Sequence, residues 1–179
     1  MKTYTLNVAG LTRELPLCQA GEKLDIAAFI MFSDVELTVA CTEALLKKVP
    51  EFDVIVTSET KGIPIAYEAA RQSGKNYFVC RKSLKLYMTD PVSVNVRSIT
   101  TLGMQTLYLS QEDASQIAGK KVLIIDDVIS TGNSLIAIEA LVEKAGGIIA
   151  GKAAVLAEGK AADRDDIIFL EKLPLFPHE

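Results

Sequence analysis

Two adjacent carboxylates, Asp126 and Asp127, follow a run of branched apolar residues, VLII. A small polar loop, ISTGNS, begins after one further residue, Val128. Carboxylates at the exposed end of a strand can accept hydrogen bonds from the vicinal hydroxyls of a sugar such as ribose, or attract a divalent cation. The loop offers backbone N–H groups, hydroxyls and a helix N-terminus, which together suit a phosphate monoester. The residues therefore predict a site for a phosphorylated sugar. The alternative is an ordinary N-cap turn after a strand that happens to end in acids.

Composition excludes several other classes of chemistry. The single histidine, His178, lies one residue from the C-terminus, so we expect no Ser-His or Cys-His pair and no histidine-rich metal site. A formal net charge of −4 argues against general nucleic-acid binding. No apolar stretch reaches the ~18 residues that a membrane-spanning helix needs. Cys18, Cys41 and Cys80 form no Cys-x-x-Cys pair, which is typical of reduced thiols in the cytoplasm.

Strands and helices alternate along most of the chain. This order favours one α/β domain of 179 residues with a doubly wound, mostly parallel sheet. In such a sheet, ligands bind beyond the carboxyl ends of the strands, where the acid pair lies. Ser33 and Glu36 resemble a capping box at the start of the first helix. The predicted elements are a hairpin at 3–17, strands at 52–59, 76–80, 105–109, 121–126, 148–157 and 166–173, and helices at 34–49, 63–73, 111–118 and 134–147.

The stretch VLIIDDVISTGNS resembles the phosphoribosyl-pyrophosphate (PRPP) signature of the type I phosphoribosyltransferases in its apolar run, acid pair and loop. The resemblance implies the type I phosphoribosyltransferase fold, with a small N-terminal hood at residues 1–33 that contributes to the base pocket. It implies that Asp126 and Asp127 hold the ribose hydroxyls and contact magnesium indirectly, through PRPP and water. The loop residues that would bind the 5′-phosphate are Ser130, Thr131, Gly132, Asn133 and Ser134.

Two further segments resemble the adenine-type branch of that family. SETKGIPIA, residues 58–66, is similar to its pyrophosphate loop, and VCRKSLKL, residues 79–86, is similar to its basic segment. The resemblance implies PRPP contacts at Glu59, Thr60, Lys61 and Gly62. It also implies that Arg81, Lys82 and Lys85 bind the pyrophosphate of PRPP, partly across a homodimer interface. For the three cations of the basic segment, a solvated strand end is the alternative.

Lys61 is a departure from the family pattern, in which arginine is the commoner residue at this place. It supplies a point charge without the bidentate fork of arginine. With Asp126 and Asp127, it completes the set of residues that the resemblance makes catalytic.

The base would lie against AAFIMFSD, residues 27–34. Phe29 and Phe32 could line a purine pocket, although aromatic residues at this spacing also occur in protein cores. Val128 or Ile129 could pack on the face of the base.

The resemblance implies a purine phosphoribosyltransferase, adenine-type, that joins a free purine to PRPP with magnesium and releases pyrophosphate and a nucleoside 5′-monophosphate. Segment 88–109, however, looks closer to xanthine-type enzymes and to PRPP-binding purine repressors. It contains no carboxylate between Pro91 and Leu109. A xanthine- or hypoxanthine-type enzyme and a non-enzymatic PRPP-binding regulator therefore remain alternatives.

Residues 86–104 contain Pro91, Gly103 and polar residues but no long apolar face, which predicts a lid that closes over PRPP and excludes water. Deleting residues 97–102 should then reduce nucleotide formation strongly while PRPP affinity survives. Both quantities are to be measured on one preparation. Unchanged turnover would contradict the lid, and lost PRPP binding would make the segment part of the primary site.

Overall fold

The computed structural model describes residues 2–97 and 104–178. The core of the predicted lid, residues 98–103, lies outside these described residues. The strands are β1 (Thr3–Val8), β2 (Leu11–Gly21), β3 (Leu24–Ala27), β4 (Val54–Ser58), β5 (Asn76–Cys80), β6 (Val92–Arg97), β7 (Met104–Leu109), β8 (Lys121–Ile129), β9 (Ile148–Glu158), β10 (Ile168–Leu173) and β11 (Leu175–Pro177). The helices are α1 (Val35–Leu46), α2 (Ile63–Ser73), α3 (Gln111–Ile117) and α4 (Asn133–Lys144), and a 3-10 turn spans Gly159–Asp163.

A five-stranded sheet in the order β10-β9-β8-β4-β5 forms the centre of the molecule, and all its neighbouring strands are parallel. Because side chains alternate along a strand, β8 buries Leu123 and Ile125 on one face and Val122 and Ile124 on the other. Helices α1 and α2 cover the first face, and α3, α4 and β7 cover the second. The predicted doubly wound α/β fold is confirmed.

The direction of winding reverses between β4 and β8, which lie side by side. From β4 the chain passes through α2 to β5 at one edge, whereas from β8 it passes through α4 to β9 on the other side. The loops that leave these two strands therefore diverge and open a crevice between them. This crevice contains the predicted acid pair and both predicted ligand-binding loops.

The N-terminal hood is a separate antiparallel sheet in the order β1-β2-β3-β11. Its first turn is the predicted one, since Ala9 and Gly10 both take positive φ values between β1 and β2. The sequence did not predict β3 or β11, so the hood sheet also includes a C-terminal strand beyond the expected 1–33. The apolar face of the hood, including Leu6 and Leu15, joins the same core cluster as Ile55 of β4.

The cap of α1 differs from the predicted Ser33–Glu36 box by one residue. Asp34 is the N-cap, and its Oδ1 accepts a hydrogen bond from the Leu37 N–H at 3.0 Å. Glu36 does not complete a capping box because it pairs with Arg13 of β2, whose Nη2 lies 2.8 Å from Glu36 Oε2. The Nε of Arg13 lies 2.7 Å from Asp34 Oδ2. The guanidinium lowers the pKa of Asp34 and fastens the hood to α1.

Within the described ranges, no helix has both the length and the apolar character that crossing a membrane requires.

The burial of Phe29 gives a test of its role, because its ring is only 2% exposed and belongs to the core cluster below the hood. Phe29→Ala should lower the free energy of unfolding by about 3–5 kcal/mol through cavity formation. Phe32→Ala is the matched control. Because Phe32 is 46% exposed, its replacement should lower the free energy of unfolding far less. Urea unfolding measures both. Equal stabilities of the two variants would contradict the core role of Phe29.

Candidate active site

The acid pair is more deeply enclosed than the exposed strand end that its sequence suggested. Strand β8 does not stop at Asp126 but continues to Ile129, where it pairs with Ala157 of β9. Asp127 is therefore buried, with 3% of its surface exposed, and its backbone N–H donates to Asp126 Oδ1 at 2.9 Å. Two carboxylates side by side in such a place repel each other and are poorly solvated.

Lys61 is the cation that faces this pair. Its Nζ lies 3.4 Å from Asp127 Oδ2, an oxygen that accepts no hydrogen bond from the described part of the chain. Burial, together with the neighbouring Asp127 charge, raises the pKa of Asp126 from 3.8 to about 8, and Lys61 opposes the rise. A buried carboxylate oxygen without a hydrogen bond is costly, so it favours a ligand that brings a hydroxyl or a cation.

Gly62 allows the loop after β4 to approach the acids closely. A side chain at this position would place its Cβ 2.7 Å from Asp126 Oδ1 and would also collide with Thr57. Gly62 therefore belongs to the site through close backbone approach. Lys61 is thereby held near the acid pair, directly before α2.

A polar cavity of about 300 Å³ lies between the two loops at the winding reversal. Most of its lining was expected from the sequence, with Ser58 as the addition. Ser58 could have been found as the last residue of the strand that carries the pyrophosphate-like loop. The lining residues are Ser58, Glu59, Thr60, Lys61, Lys82, Asp126, Asp127, Val128 and Ser134.

A second cavity of about 120 Å³ lies around the start of α4 and shares Asp126, Val128 and Ser134 with the first. Gly132 has a φ of 80°, a left-handed conformation that favours glycine, immediately before the helix begins at Asn133. This arrangement brings small residues and a helix N-terminus to one concave surface, as an anion cradle requires. The lining residues are Asp126, Val128, Ile129, Ser130, Thr131, Gly132, Ser134 and Leu135.

Asn133 is the predicted loop residue that does not line either cavity. Its side-chain Nδ2 is buried, without a hydrogen-bond partner in the described part of the chain.

The basic segment is fastened to the first loop by Glu59. The Glu59 carboxylate lies 2.9 Å from Arg81 Nε and 3.9 Å from Lys85 Nζ, and it accepts a hydrogen bond from the Lys82 N–H at 2.6 Å. The backbone of Arg81 also pairs with Tyr108 of β7. The segment is thus attached to the loop rather than being a freely solvated strand end, and Lys82 lines the larger cavity.

The residues predicted to contact a base separate into two groups. Val128 and Ile129 lie beside the acids in the described cavities. Phe29 is packed in the core, whereas Phe32 lines an apolar cavity of about 280 Å³ together with Val35, Pro64 and other residues of α1 and α2. Phe32 therefore lines a different cavity from Val128 and Ile129, whereas Phe29 belongs to the core cluster against which Val128 packs. The base-binding role of these residues stays a prediction.

Metal binding at this site would depend on the ligand as well as on the protein. Over residues 2–97 and 104–178, no group of three or more Asp, Glu, His or Cys side chains is placed to hold a metal ion. The unpartnered oxygen of Asp127 and the neighbouring Asp126 fit an ion whose other ligands come from a phosphorylated substrate and water.

Comparison with known proteins gives a consistent result. The phosphoribosyl transferase domain family matches residues 36–174. The adenine phosphoribosyltransferase of Pelodictyon phaeoclathratiforme is 36% identical over 115 residues, which are 64% of this chain and 62% of that protein. The purine biosynthesis transcriptional repressor PurR of Bacillus subtilis is 34% identical over 113 residues, covering 63% of this chain and 39% of the repressor.

The fold also has a close match among solved structures. The crystal structure of adenine phosphoribosyltransferase from Thermoanaerobacter pseudethanolicus superposes with a TM-score of 0.68 at 26% identity. The match covers 79% of this chain and 84% of that structure.

The raised pKa of Asp126 predicts a pH-dependent stability. The folded state holds the proton more tightly than the unfolded state, so this group destabilises the fold as the pH rises from the unfolded value of 3.8 through about 8. Asp126→Asn should therefore raise the Tm of the ligand-free, EDTA-treated protein at about pH 8–9, by roughly 2–6 °C, and by less as the pH falls toward about 5.

Asp163→Asn is the matched control, since Asp163 is exposed and pairs with Lys172 only at 3.8 Å. Thermal unfolding across this pH range measures both variants. A lower Tm for Asp126→Asn at high pH would show that the Asp126 carboxylate holds the fold together and would contradict this account.

Proposed function

The chain belongs to the phosphoribosyl transferase domain family, and we propose that it is a purine phosphoribosyltransferase of the adenine type. It forms the bond between a purine nitrogen and the anomeric carbon of PRPP, while the bond from that carbon to pyrophosphate breaks. The products are a nucleoside 5′-monophosphate and pyrophosphate. The observation that carries the proposal is the acid pair, which lies between a cation-lined cavity and a cradle of small residues at the start of α4.

PRPP has one part for each region of this crevice. The 5′-phosphate belongs in the cradle, where the loop Ser130–Ser134 offers hydroxyls and backbone N–H groups. The ribose hydroxyls belong beside Asp126 and Asp127, whose oxygens are acceptors. The pyrophosphate belongs in the larger cavity, which Lys61 and Lys82 line.

Catalysis in this scheme is mainly electrostatic and positional. As the pyrophosphate departs from an oxocarbenium-like centre, Lys61 and the basic segment stabilise its growing negative charge. Glu59 carries a like charge, so its role is to orient Arg81 and Lys85 rather than to contact the pyrophosphate. Magnesium, which Asp126 and Asp127 would hold through PRPP and water, would further neutralise the phosphate charges.

The basic segment also supports a homodimer. Leu84 and Leu86, on either side of Lys85, and the following Tyr87 are exposed large apolar side chains. Such a cluster is typical of a surface that a partner covers. A second copy of the chain placed there would bring Arg81 and Lys85 close to a subunit interface.

The base would enter from the side of the hood and pack against Val128 and Ile129. Phe32 is partly exposed and lines a neighbouring apolar cavity with residues of α1 and α2, so its contact with the base stays a prediction. The preference for adenine is supported by relatives named for that base. A reducing cytoplasm suits the free thiols of Cys18, Cys41 and Cys80.

A PRPP-binding regulator is the second candidate. Two observations favour it: the sequence has no carboxylate between Pro91 and Leu109, and the Bacillus subtilis repressor is about as similar as the enzymes are. A regulator would keep the cradle and the acid pair but would not form nucleotide.

One experiment separates these candidates. The protein is incubated with PRPP and magnesium, and with adenine, hypoxanthine, guanine or xanthine in separate reactions, and nucleotide formation is followed. Fastest turnover with adenine supports the proposal, and fastest turnover with an oxopurine moves the chain to the other enzyme type. Protection by PRPP in thermal unfolding without turnover identifies a regulator. If PRPP gives neither protection nor turnover, both the enzyme and the regulator proposals are wrong.

Lys61 provides a prediction on the same reaction. Lys61→Met should lower kcat about 100-fold, the scale of removing one group that stabilises a transition-state charge. Lys61→Arg keeps the charge and should retain most activity. Lys47→Met is the control, because Lys47 forms a similar but exposed pair with Glu43 on α1. Equal kcat values for Lys61→Met and the wild type would contradict the role of Lys61.

A further inference from the structure

Arg164 lies against the phosphate cradle without having been expected there from the sequence. A side chain on Gly132 would place its Cβ 2.7 Å from Arg164 Nη1. The space on that side of the loop is therefore occupied by a guanidinium, and a bulky residue at position 132 would meet Arg164 as well as suffer backbone strain. A cation consequently lies beside the one loop residue that holds a left-handed conformation at the start of α4.

The topology explains why a residue from so late in the chain reaches this loop. Arg164 follows the 3-10 turn Gly159–Asp163, which begins where β9 ends. Strands β8 and β9 are parallel neighbours, so the segments that leave their carboxyl ends lie at the same edge of the sheet. The Arg164 N–H donates to Ala161 O at 3.2 Å, which keeps this segment folded back on itself.

The guanidinium is fixed in place by its other nitrogens. Nε and Nη2 of Arg164 donate to the two oxygens of Asp166 at 2.8 and 2.7 Å, a bidentate pair. Asp166 also binds Lys152 of β9, and Lys152 lies 2.9 Å from Glu139 of α4. This network leaves Nη1 directed at Gly132. It also joins Arg164 to the helix whose N-terminus forms the cradle.

We propose that Arg164 is a positioning residue of the phosphate cradle, which supplies a positive charge beside Gly132 and so raises the affinity of the loop for a phosphate monoester. The inference rests on the proposed function only in assigning the 5′-phosphate to this cradle. The network as a whole carries balanced charges, with Arg164 and Lys152 opposite Asp166 and Glu139. The effect is therefore local, because Nη1 is the nitrogen that faces Gly132 and Coulomb interactions weaken with distance.

The test uses binding rather than turnover. Isothermal titration measures the affinity for ribose 5-phosphate, which needs the cradle, and for magnesium pyrophosphate, which would occupy the other cavity. Arg164→Gln should weaken ribose 5-phosphate binding about tenfold at low ionic strength, and by less as salt screens the charge. Its affinity for magnesium pyrophosphate should stay unchanged. Arg164→Lys keeps the charge but not the fork that directs Nη1 at Gly132, so it should lose less ribose 5-phosphate affinity than Arg164→Gln does. Its affinity for magnesium pyrophosphate should stay unchanged.

Lys172→Gln is the matched control. It removes the same charge from a neighbouring surface position, where Lys172 pairs with Asp163 of the 3-10 turn at 3.8 Å. It should leave both affinities unchanged.

Three outcomes would overturn the inference. If Arg164→Gln binds ribose 5-phosphate as the wild type does, the charge is irrelevant to the cradle. If Arg164→Lys loses as much affinity as Arg164→Gln, a positive charge at position 164 does not raise the affinity of the cradle. If the wild type binds neither ribose 5-phosphate nor PRPP, the proposed function fails, and this inference fails with it.

Discussion

The rest of the site depends on the buried carboxylate of Asp127, whose negative charge needs partners in place of water. Removing a charge from water costs several kcal/mol unless partners replace the solvent. Two features of the structure supply compensation: the raised pKa of Asp126, which keeps that neighbouring acid uncharged over more of the pH range, and the Lys61 ammonium 3.4 Å away. The Asp127 N–H serves the other acid, since it donates to Asp126 Oδ1. One oxygen of Asp127 still lacks a hydrogen bond in the described part of the chain. The protein thus holds a pair of acids that a ligand can complete, and a PRPP molecule with magnesium would do so.

The backbone around the acid pair brings two loops close to Asp126 and Asp127. The reversal of winding between β4 and β8 separates two loops while keeping their origins adjacent. Gly62 lets the first loop approach Asp126, and Gly132 lets the second turn into α4. Glu59 then ties the basic segment to the first loop, and Arg164 lies against the second. The basic segment and Arg164 come from distant parts of the chain, and the parallel sheet brings both to the same crevice.

Local patterns in the sequence predict the central elements well. The helix at 63–73 has the predicted bounds because proline in its first turn and glycine after its last are strong local signals. The acid pair and most of its loop line adjoining cavities, as the order of the residues suggested, and their role in sugar and phosphate binding stays a prediction. The family match over residues 36–174 agrees with the resemblance that these motifs carry.

Features that depend on distant contacts could not be predicted in the same way. Strands β3 and β11 are short and form one sheet from opposite ends of the chain. Asp34 caps α1 because Arg13 arrives from the hood, and Asp127 is buried because β8 keeps its pairing with β9. Phe29 has the spacing of a pocket residue but is packed in the core. Arg164 lies far from every motif and reaches the cradle only through the parallel order of β8 and β9.

A crystal structure of the protein with PRPP and magnesium would test the central claim most directly. The account predicts the 5′-phosphate within hydrogen-bonding distance of the N–H groups of residues 130–134, and the ribose hydroxyls against Asp126 and Asp127. PRPP bound at another surface, with the acid pair still facing only Lys61, would contradict it.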